Sequence, residues 1–141
     1  MISTKGRYAL RVMVELAENK GGTFIPLKEI AAKQNISQKY LESIMTVLSK
    51  AKIVEGAHGK GGGYRLNKNP EEYTISEILK ATEGSLAPVA CLDCDAEPCE
   101  RAPECRTLPM WSKLNSMIDD YFTKTTIADL IKKEETLQMF Q

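Results

Sequence analysis

Two stretches of helical periodicity stand three residues apart, and that spacing constrains the fold more than any other feature of the chain. Pro26-Leu27-Lys28-Glu29-Ile30-Ala31-Ala32-Lys33 reads as a short helix with proline at its first position. Tyr40, Leu41, Ile44, Met45 and Leu48 form one face of a second helix, for which Ser37 is a suitable N-cap. The opposite face carries Gln38, Lys39, Glu42, Ser43 and Lys50. Asn35-Ile36-Ser37 can be little more than a tight turn, so the pair reads as a helix-turn-helix, in which the second helix enters a DNA major groove. Two strand-like runs follow, Ile53-Val54-Glu55 and Tyr64-Arg65-Leu66, separated by Gly56-Ala57-His58-Gly59-Lys60-Gly61-Gly62-Gly63. A glycine-rich hairpin after a recognition helix is a wing, and its tip offers His58 and Lys60 to a phosphate backbone or minor groove. A nucleotide-phosphate loop fits less well, because the glycines lead into a strand and no helix-opening Gly-Lys-Ser/Thr follows.

The net charge of zero argues against a polyanion partner until its distribution is read. Residues 1–68 hold twelve Lys/Arg against five Asp/Glu, a surplus of seven positive charges. Residues 69–141 hold seven Lys/Arg against fourteen Asp/Glu, a surplus of seven negative ones. The basic half is the winged-helix half, which is the footprint of nucleic-acid binding. The 141 residues suffice for one core plus an extension, and the absence of a long apolar run or signal peptide gives the expectation of a soluble, cytoplasmic protein with no membrane partner.

A first helix is expected from Ser3 or Thr4 to about Asn19, with Tyr8, Ala9, Val12, Met13, Leu16 and Ala17 as its apolar stripe. Lys5, Arg7 and Arg11 cluster near its start, where the helix dipole mildly disfavours cations, so they read as phosphate contacts or as a solvated face. Thr74-Ile75-Ser76-Glu77 is a capping box opening a helix to Gly84. Further on, Trp111, Leu114, Ile118, Tyr121 and Phe122, widened by Met110 and Met117, predict one long amphipathic helix from about Leu108 to Phe122. It either folds back on its own domain or pairs with its twin in a homodimer. The second is preferred, since recognition helices work as symmetric pairs on palindromic operators. A short further helix starts at Thr126, and the tail to Gln141 carries no reading. The expected organisation is a DNA-binding domain at 1–84, a cysteine-rich cluster-binding loop at 85–107, and a dimerisation helix with tail at 108–141. The expected fold is mainly α, a winged helix-turn-helix with a two-stranded wing and a long C-terminal dimerisation helix.

All four cysteines, Cys91, Cys94, Cys99 and Cys105, fall within fifteen residues. In a reducing compartment that density argues against structural disulfides and for soft-metal ligands. Only Cys91 and Cys94 have the two-residue spacing of a zinc knuckle, so an iron–sulfur cluster is preferred to zinc, a thiol redox switch or inert thiols. Asp93, Asp95, Glu97, Glu100 and Glu104 against Arg101 should raise the metal-free thiol pKa values and keep the loop off DNA. An enzyme is disfavoured, because the one histidine lies in the hairpin and no Cys–His or Ser–His–Asp set can be assembled. A small iron–sulfur electron-transfer protein is the alternative of another class, and it leaves the winged helix unexplained.

Taken together, Ser3 to Leu10, Leu27 to Ala31, Ile36 to Glu42, Gly61 to Leu66, Ala87-Pro88-Val89, Trp111 and Thr126 to Leu130 resemble the IscR/NsrR/CymR family of bacterial winged-helix regulators. The resemblance covers nearly the whole chain. It implies a homodimer joined through the long helix, acting on double-stranded DNA to regulate transcription. It also implies an iron–sulfur cluster, [2Fe–2S] in preference to [4Fe–4S], on Cys91, Cys99 and Cys105, with Cys94 as a fourth ligand or resolving thiol. It makes Ser37, Gln38, Lys39, Tyr40 and Ser43 candidate groove contacts, with Tyr40 also eligible for the core. Glu42 matches a family acid able to accept from cytosine N4 or to exclude other sites, and Lys5, Arg7, His58 and Lys60 would hold phosphates. Three departures stand out: Leu108 replaces the family histidine three residues after the last cysteine, His58 stands where arginine is usual, and the first cysteine spacing differs. The alternative within regulation is a repressor switched by zinc, thiol oxidation or a partner protein.

Overall fold

A computed structural model of the chain describes residues 2–19, 21–93 and 95–132; Cys94 and the tail from residue 133 lie outside them. The helices are α1 (Thr4–Glu18), α2 (Leu27–Gln34), α3 (Gln38–Lys50), α4 (Ile75–Glu83), α5 (Leu108–Lys124) and α6 (Ile127–Ile131). The strands β1 (Val54–Ala57) and β2 (Gly63–Leu66) pair antiparallel, with Val54 opposite Leu66 and Ala57 opposite Gly63. The result is the expected winged helix-turn-helix.

Each element of the reading head forms for a local reason. Ser3 caps α1 by accepting from the Gly6 N–H at 3.2 Å. Asn35 takes the left-handed conformation, φ 53°, that ends α2, and Ser37 then accepts from the Tyr40 N–H at 3.2 Å to start α3. The buried faces are Ala9, Val12, Met13 and Leu16 on α1, Ile30 and Ala31 on α2, and Leu41, Ile44, Met45 and Leu48 on α3. They join Ile75, Ile78 and Leu79 of α4 in one core, where each fully buried aliphatic side chain contributes about 1.5–3 kcal/mol.

The wing starts one residue later than its sequence suggests. Lys52 has φ 60°, and the Ile53 N–H turns back to the Leu48 carbonyl at 2.9 Å. Ile53 is thus a buried stopper for α3 and no part of the strand. At the far end the glycines are required by close backbone approach. A Cβ on Gly62 would sit 2.4 Å from the Ala57 carbonyl oxygen, and one on Gly63 (φ 141°) would sit 2.1 Å from that of Ile25. The second contact exists because Ile25 and Tyr64 exchange backbone hydrogen bonds at 2.9 Å each, which adds a one-residue edge to the wing.

Tyr73 fastens the root of the wing. Its buried hydroxyl accepts from the Asn67 and Lys68 N–H groups at 3.0 and 3.1 Å and reaches the Ile53 carbonyl at 2.9 Å. Burial pushes the phenol pKa up, and those two backbone N–H groups partly offset it. Next to it, Thr74 caps α4 through the Glu77 N–H at 3.1 Å. Only half of the expected capping box forms, because the Glu77 carboxylate turns to Lys68 at 3.8 Å.

α5 has no fully buried residue. Ile118 and Phe122 rest against the core, and Lys80 of α4 meets Asp119 at 3.2 Å. The outward face carries Met110, Leu114, Met117 and Tyr121, which are 54, 38, 59 and 66 % exposed. Their spacings of four, three and four residues make one continuous seam. The inner face of the long helix thus folds back on its own domain, and the outer face is left open. Beyond α5 the chain returns to the domain. The Ile75 N–H donates to the Thr125 carbonyl at 2.9 Å and the Ile127 N–H to Tyr73 at 3.0 Å, and Ile127 is fully buried in the core.

Candidate nucleic-acid interface and cysteine loop

The polar face of α3 points outward as read from the sequence, with Gln38, Lys39, Glu42 and Ser43 all exposed. Thr46, not among the residues expected on that face, continues it by one turn, at a position the spacing 39-42-43-46 points to. The hydroxyls are engaged with the helix itself: Ser43 Oγ donates to the Tyr40 carbonyl at 2.6 Å and Thr46 Oγ1 to that of Glu42 at 2.8 Å. Each retains oxygen lone pairs for a base-edge donor. Ser37 is exposed, but its oxygen serves as the α3 cap. Tyr40 is half-buried, its ring edge-on to Tyr8 with centroids 5.9 Å apart at 79°, so it sits between the core and the exposed polar face.

Around this face stand the candidate phosphate contacts. Arg7 is exposed on the first turns of α1, within 3.5 Å of the Thr4 hydroxyl, and Lys5 beside it is half-buried. His58 and Lys60 are exposed at the wing tip. Arg11, grouped with Lys5 and Arg7 by sequence, is placed differently. Its guanidinium lies over the Tyr8 ring, 4.9 Å from the centroid, and its Nε donates to Gln34 Oε1 at 3.1 Å.

The cysteine loop leaves the core at buried Leu86 and runs through short 3-10 turns at Ala90–Leu92 and Ala102–Glu104 into α5. Cys91 and Cys99 are exposed, Cys105 is half-buried, and all three are free thiols. Cys94 lies outside the described residues. Cys105 Sγ is 3.4 Å from Thr107 Oγ1. That hydroxyl, then the N–H groups of Thr107 and Leu108 at the start of α5, hold its pKa below the ordinary thiol value. The expectation that the loop acids raise the thiol pKa fails at Cys105: no carboxylate bears on it, and the one charge that does, Arg101, lowers it further. As a donor set, three free thiols on one loop suit a thiolate-ligated centre. Their placement does not gather them: among the described residues no three His, Cys, Asp or Glu side chains converge on a common point. No helix among the described residues is long and apolar enough to cross a membrane.

Known proteins resemble this chain along almost its full length. A family model described as Rrf2, iron-dependent transcriptional regulator, matches residues 2–133. The HTH-type transcriptional regulator CymR of Bacillus subtilis is 36 % identical over 129 residues, covering 92 % of this chain and 88 % of that protein. The HTH-type transcriptional regulator IscR of Sodalis glossinidius is 31 % identical over 138 residues, covering 98 % and 82 %. Among solved structures, CymR, the global cysteine regulator of B. subtilis, superposes with a TM-score of 0.77 at 35 % identity, covering 94 % of this chain and 97 % of that one. The T. potens IscR structure gives 0.74 at 30 % identity, covering 100 % and 93 %.

Proposed function

The chain belongs to the Rrf2 family of transcription regulators, and from that premise we propose that it acts in the cytoplasm as a homodimer on a palindromic operator, its DNA affinity set by an iron–sulfur cluster on the cysteine loop. It is a winged-helix DNA-binding protein of a non-enzyme family. In the proposed division of labour, residues 1–84 read DNA, 85–107 sense, and 108–141 join the two protomers.

On the DNA, Gln38, Lys39, Glu42 and Ser43 face the major groove, with Tyr40 and the capping Ser37 at its edge, while Lys5, Arg7, His58 and Lys60 hold phosphates. The α5 seam of Met110, Leu114, Met117 and Tyr121 pairs with its copy, which would remove an exposed apolar face from water and set the spacing of the two α3 helices. Cys91, Cys99 and Cys105 would hold the cluster, [2Fe–2S] in preference to [4Fe–4S], with Cys94 as a further ligand. A bound cluster supplies a redox-sensitive, labile crosslink of the loop. The observation that carries this reading is position: three free thiols lie directly between buried Leu86 and the seam helix, so a change in the loop bears on the helix that spaces the reading heads.

The depressed Cys105 pKa favours a second reading, a thiol switch, since a thiolate is the form that oxidant attacks. The relation to a global cysteine regulator is compatible with it. Anaerobic purification followed by a visible spectrum and iron, sulfide and zinc analysis separates the two. Charge-transfer bands with matching iron and sulfide support the cluster; colourless protein without sulfide refutes it and leaves zinc, thiols or a partner protein. Cys91→Ala, Cys99→Ala and Cys105→Ala each abolish the bands, and Cys94→Ala tests the remaining ligand.

A further inference from the structure

We propose that Arg11 is a positioning residue for the recognition helix and not a phosphate contact, an inference that rests on the DNA-binding reading above. Its side chain joins three elements at once. From α1, its Nε donates to Gln34 Oε1 at 3.1 Å, and a terminal N–H donates to the Gln34 carbonyl oxygen. Gln34 is the last residue of α2, where unpaired carbonyls and the negative end of the helix dipole favour a cation. The same guanidinium lies over the Tyr8 ring, whose neighbour edge-on is Tyr40 in the first turn of α3. One planar cation thus touches the end of the first helix of the pair and, through one aromatic ring, the start of the second.

The surroundings hold the clasp in place. The Gln34 amide donates to Glu15 Oε2 at 3.1 Å, and Glu15 also takes Lys33 at 3.3 Å. Between the two ends that Arg11 touches lie only the left-handed Asn35, buried Ile36 and the capping Ser37. The shared core sets the α2–α3 angle from the buried side, and Arg11 adds a tie from α1 across the exposed side of the turn. Arg7, by contrast, bonds among the described residues to Thr4 of its own first turn and remains exposed. A displacement of α3 by about an ångström is enough to spoil base-edge hydrogen bonds while leaving phosphate attraction intact. Arg11 therefore contributes to selectivity among DNA sequences and little to non-specific affinity.

The test uses an operator enriched from a random duplex pool by the full-length wild type. Dissociation constants for it and for a scrambled duplex are measured over a salt series for Arg11→Lys, Arg11→Met, Gln34→Met and the Arg11→Lys/Gln34→Met pair. Lysine keeps the charge and loses the fork, so Arg11→Lys weakens operator binding about tenfold while scrambled-duplex binding and the salt slope stay at wild-type values. Gln34→Met removes the side-chain arm of the clasp without touching a charge and leaves the backbone carbonyl, so it gives a smaller loss of the same kind, and the pair is no worse than Arg11→Lys alone. Wild-type selectivity in Arg11→Lys or Gln34→Met overturns the proposal. So does an Arg11→Met variant that loses affinity equally on both duplexes with a salt slope reduced by about one, the signature of a phosphate contact. Where an Arg11 variant melts near the assay temperature, the Gln34→Met selectivity decides. Failure of the wild type to enrich any sequence overturns the DNA-binding reading itself.

Discussion

Tyr73→Phe removes one oxygen from the core and should unfasten the wing. The hydroxyl accepts from the backbone N–H groups of Asn67 and Lys68 at 3.0 and 3.1 Å and donates to the Ile53 carbonyl at 2.9 Å or to Asn67 Oδ1 at 2.8 Å. Phenylalanine fills the same space, so no cavity term arises and the loss is one of hydrogen bonds alone. A buried backbone group left without a partner costs about 1–3 kcal/mol. Asn67 and Lys68 are solvent-facing and water recovers part of theirs, whereas the Ile53 carbonyl belongs to a buried residue. The net loss is about 2–3 kcal/mol, measured at neutral pH by urea denaturation with unchanged m-value. Amide hydrogen exchange should localise it: Asn67, Lys68 and the strand residues after Ile53 lose protection, while α1 keeps it. The pH dependence carries a second signature. The folded phenol titrates above its ordinary value of 10.0, so its contribution is fully present below that value and lost as pH rises through the folded one. The gap between wild type and Tyr73→Phe therefore narrows in alkali. A loss under about 0.5 kcal/mol with unaltered exchange would refute the clamp, because it would mean the hydroxyl is no better paired in the fold than in water.

The α5 seam predicts a dimeric wild type in analytical ultracentrifugation and a monomeric Met117→Lys/Tyr121→Lys variant with an unchanged helical circular-dichroism spectrum; a monomeric wild type or a variant that stays dimeric refutes the seam as the contact. Gly63→Ala forces a Cβ onto the Ile25 carbonyl at a positive φ and should cost about 2 kcal/mol or more in thermal or urea melts, whereas Gly59→Ala, with open space around it, costs about 1 kcal/mol for its φ alone. Asp129 closes the α6 capping box by accepting from the Thr126 N–H at 2.9 Å, and the Thr126 N–H and hydroxyl hold its pKa below the ordinary value. Its contribution is present above that value and lost as pH falls through the lowered one. Asp129→Asn should therefore be destabilised at neutral pH and indistinguishable from wild type in strong acid, in melts at both pH values.

What was legible in the sequence was whatever a residue decides alone or with helical neighbours. Ser37 caps because of its own hydroxyl, the Leu41-Ile44-Met45-Leu48 stripe follows from period alone, and the glycines after Lys60 announce a hairpin. Family resemblance added the regulator reading. What escaped depended on partners distant in the chain. Ile53 looks like the start of a strand until Lys52 takes a positive φ, which lysine seldom does. Arg11 looks like one of three basic residues until Gln34 arrives from 23 positions away. Glu77 has the right offset for a capping box, yet Lys68 offers its carboxylate a charge. The cysteine pattern names donors but holds no information on convergence, which a proline-broken loop leaves to its surroundings.

The return of the chain after α5 has a consequence for how such proteins diversify. The cysteine loop leaves the core at Leu86, α5 lies back on the core through Ile118 and Phe122, and the chain re-enters at Thr125–Ile127, against Tyr73 and Ile75, so both feet of the loop-and-helix span stand on the same core. The entropy of closing a span between fixed feet grows only with the logarithm of its length. Residues can be added to or removed from the loop half of that span without disturbing the base it stands on. With the loop as the proposed sensor, the architecture is that of a socket: one reader of DNA can be fitted, by exchange of a short cassette, to answer a different chemical signal.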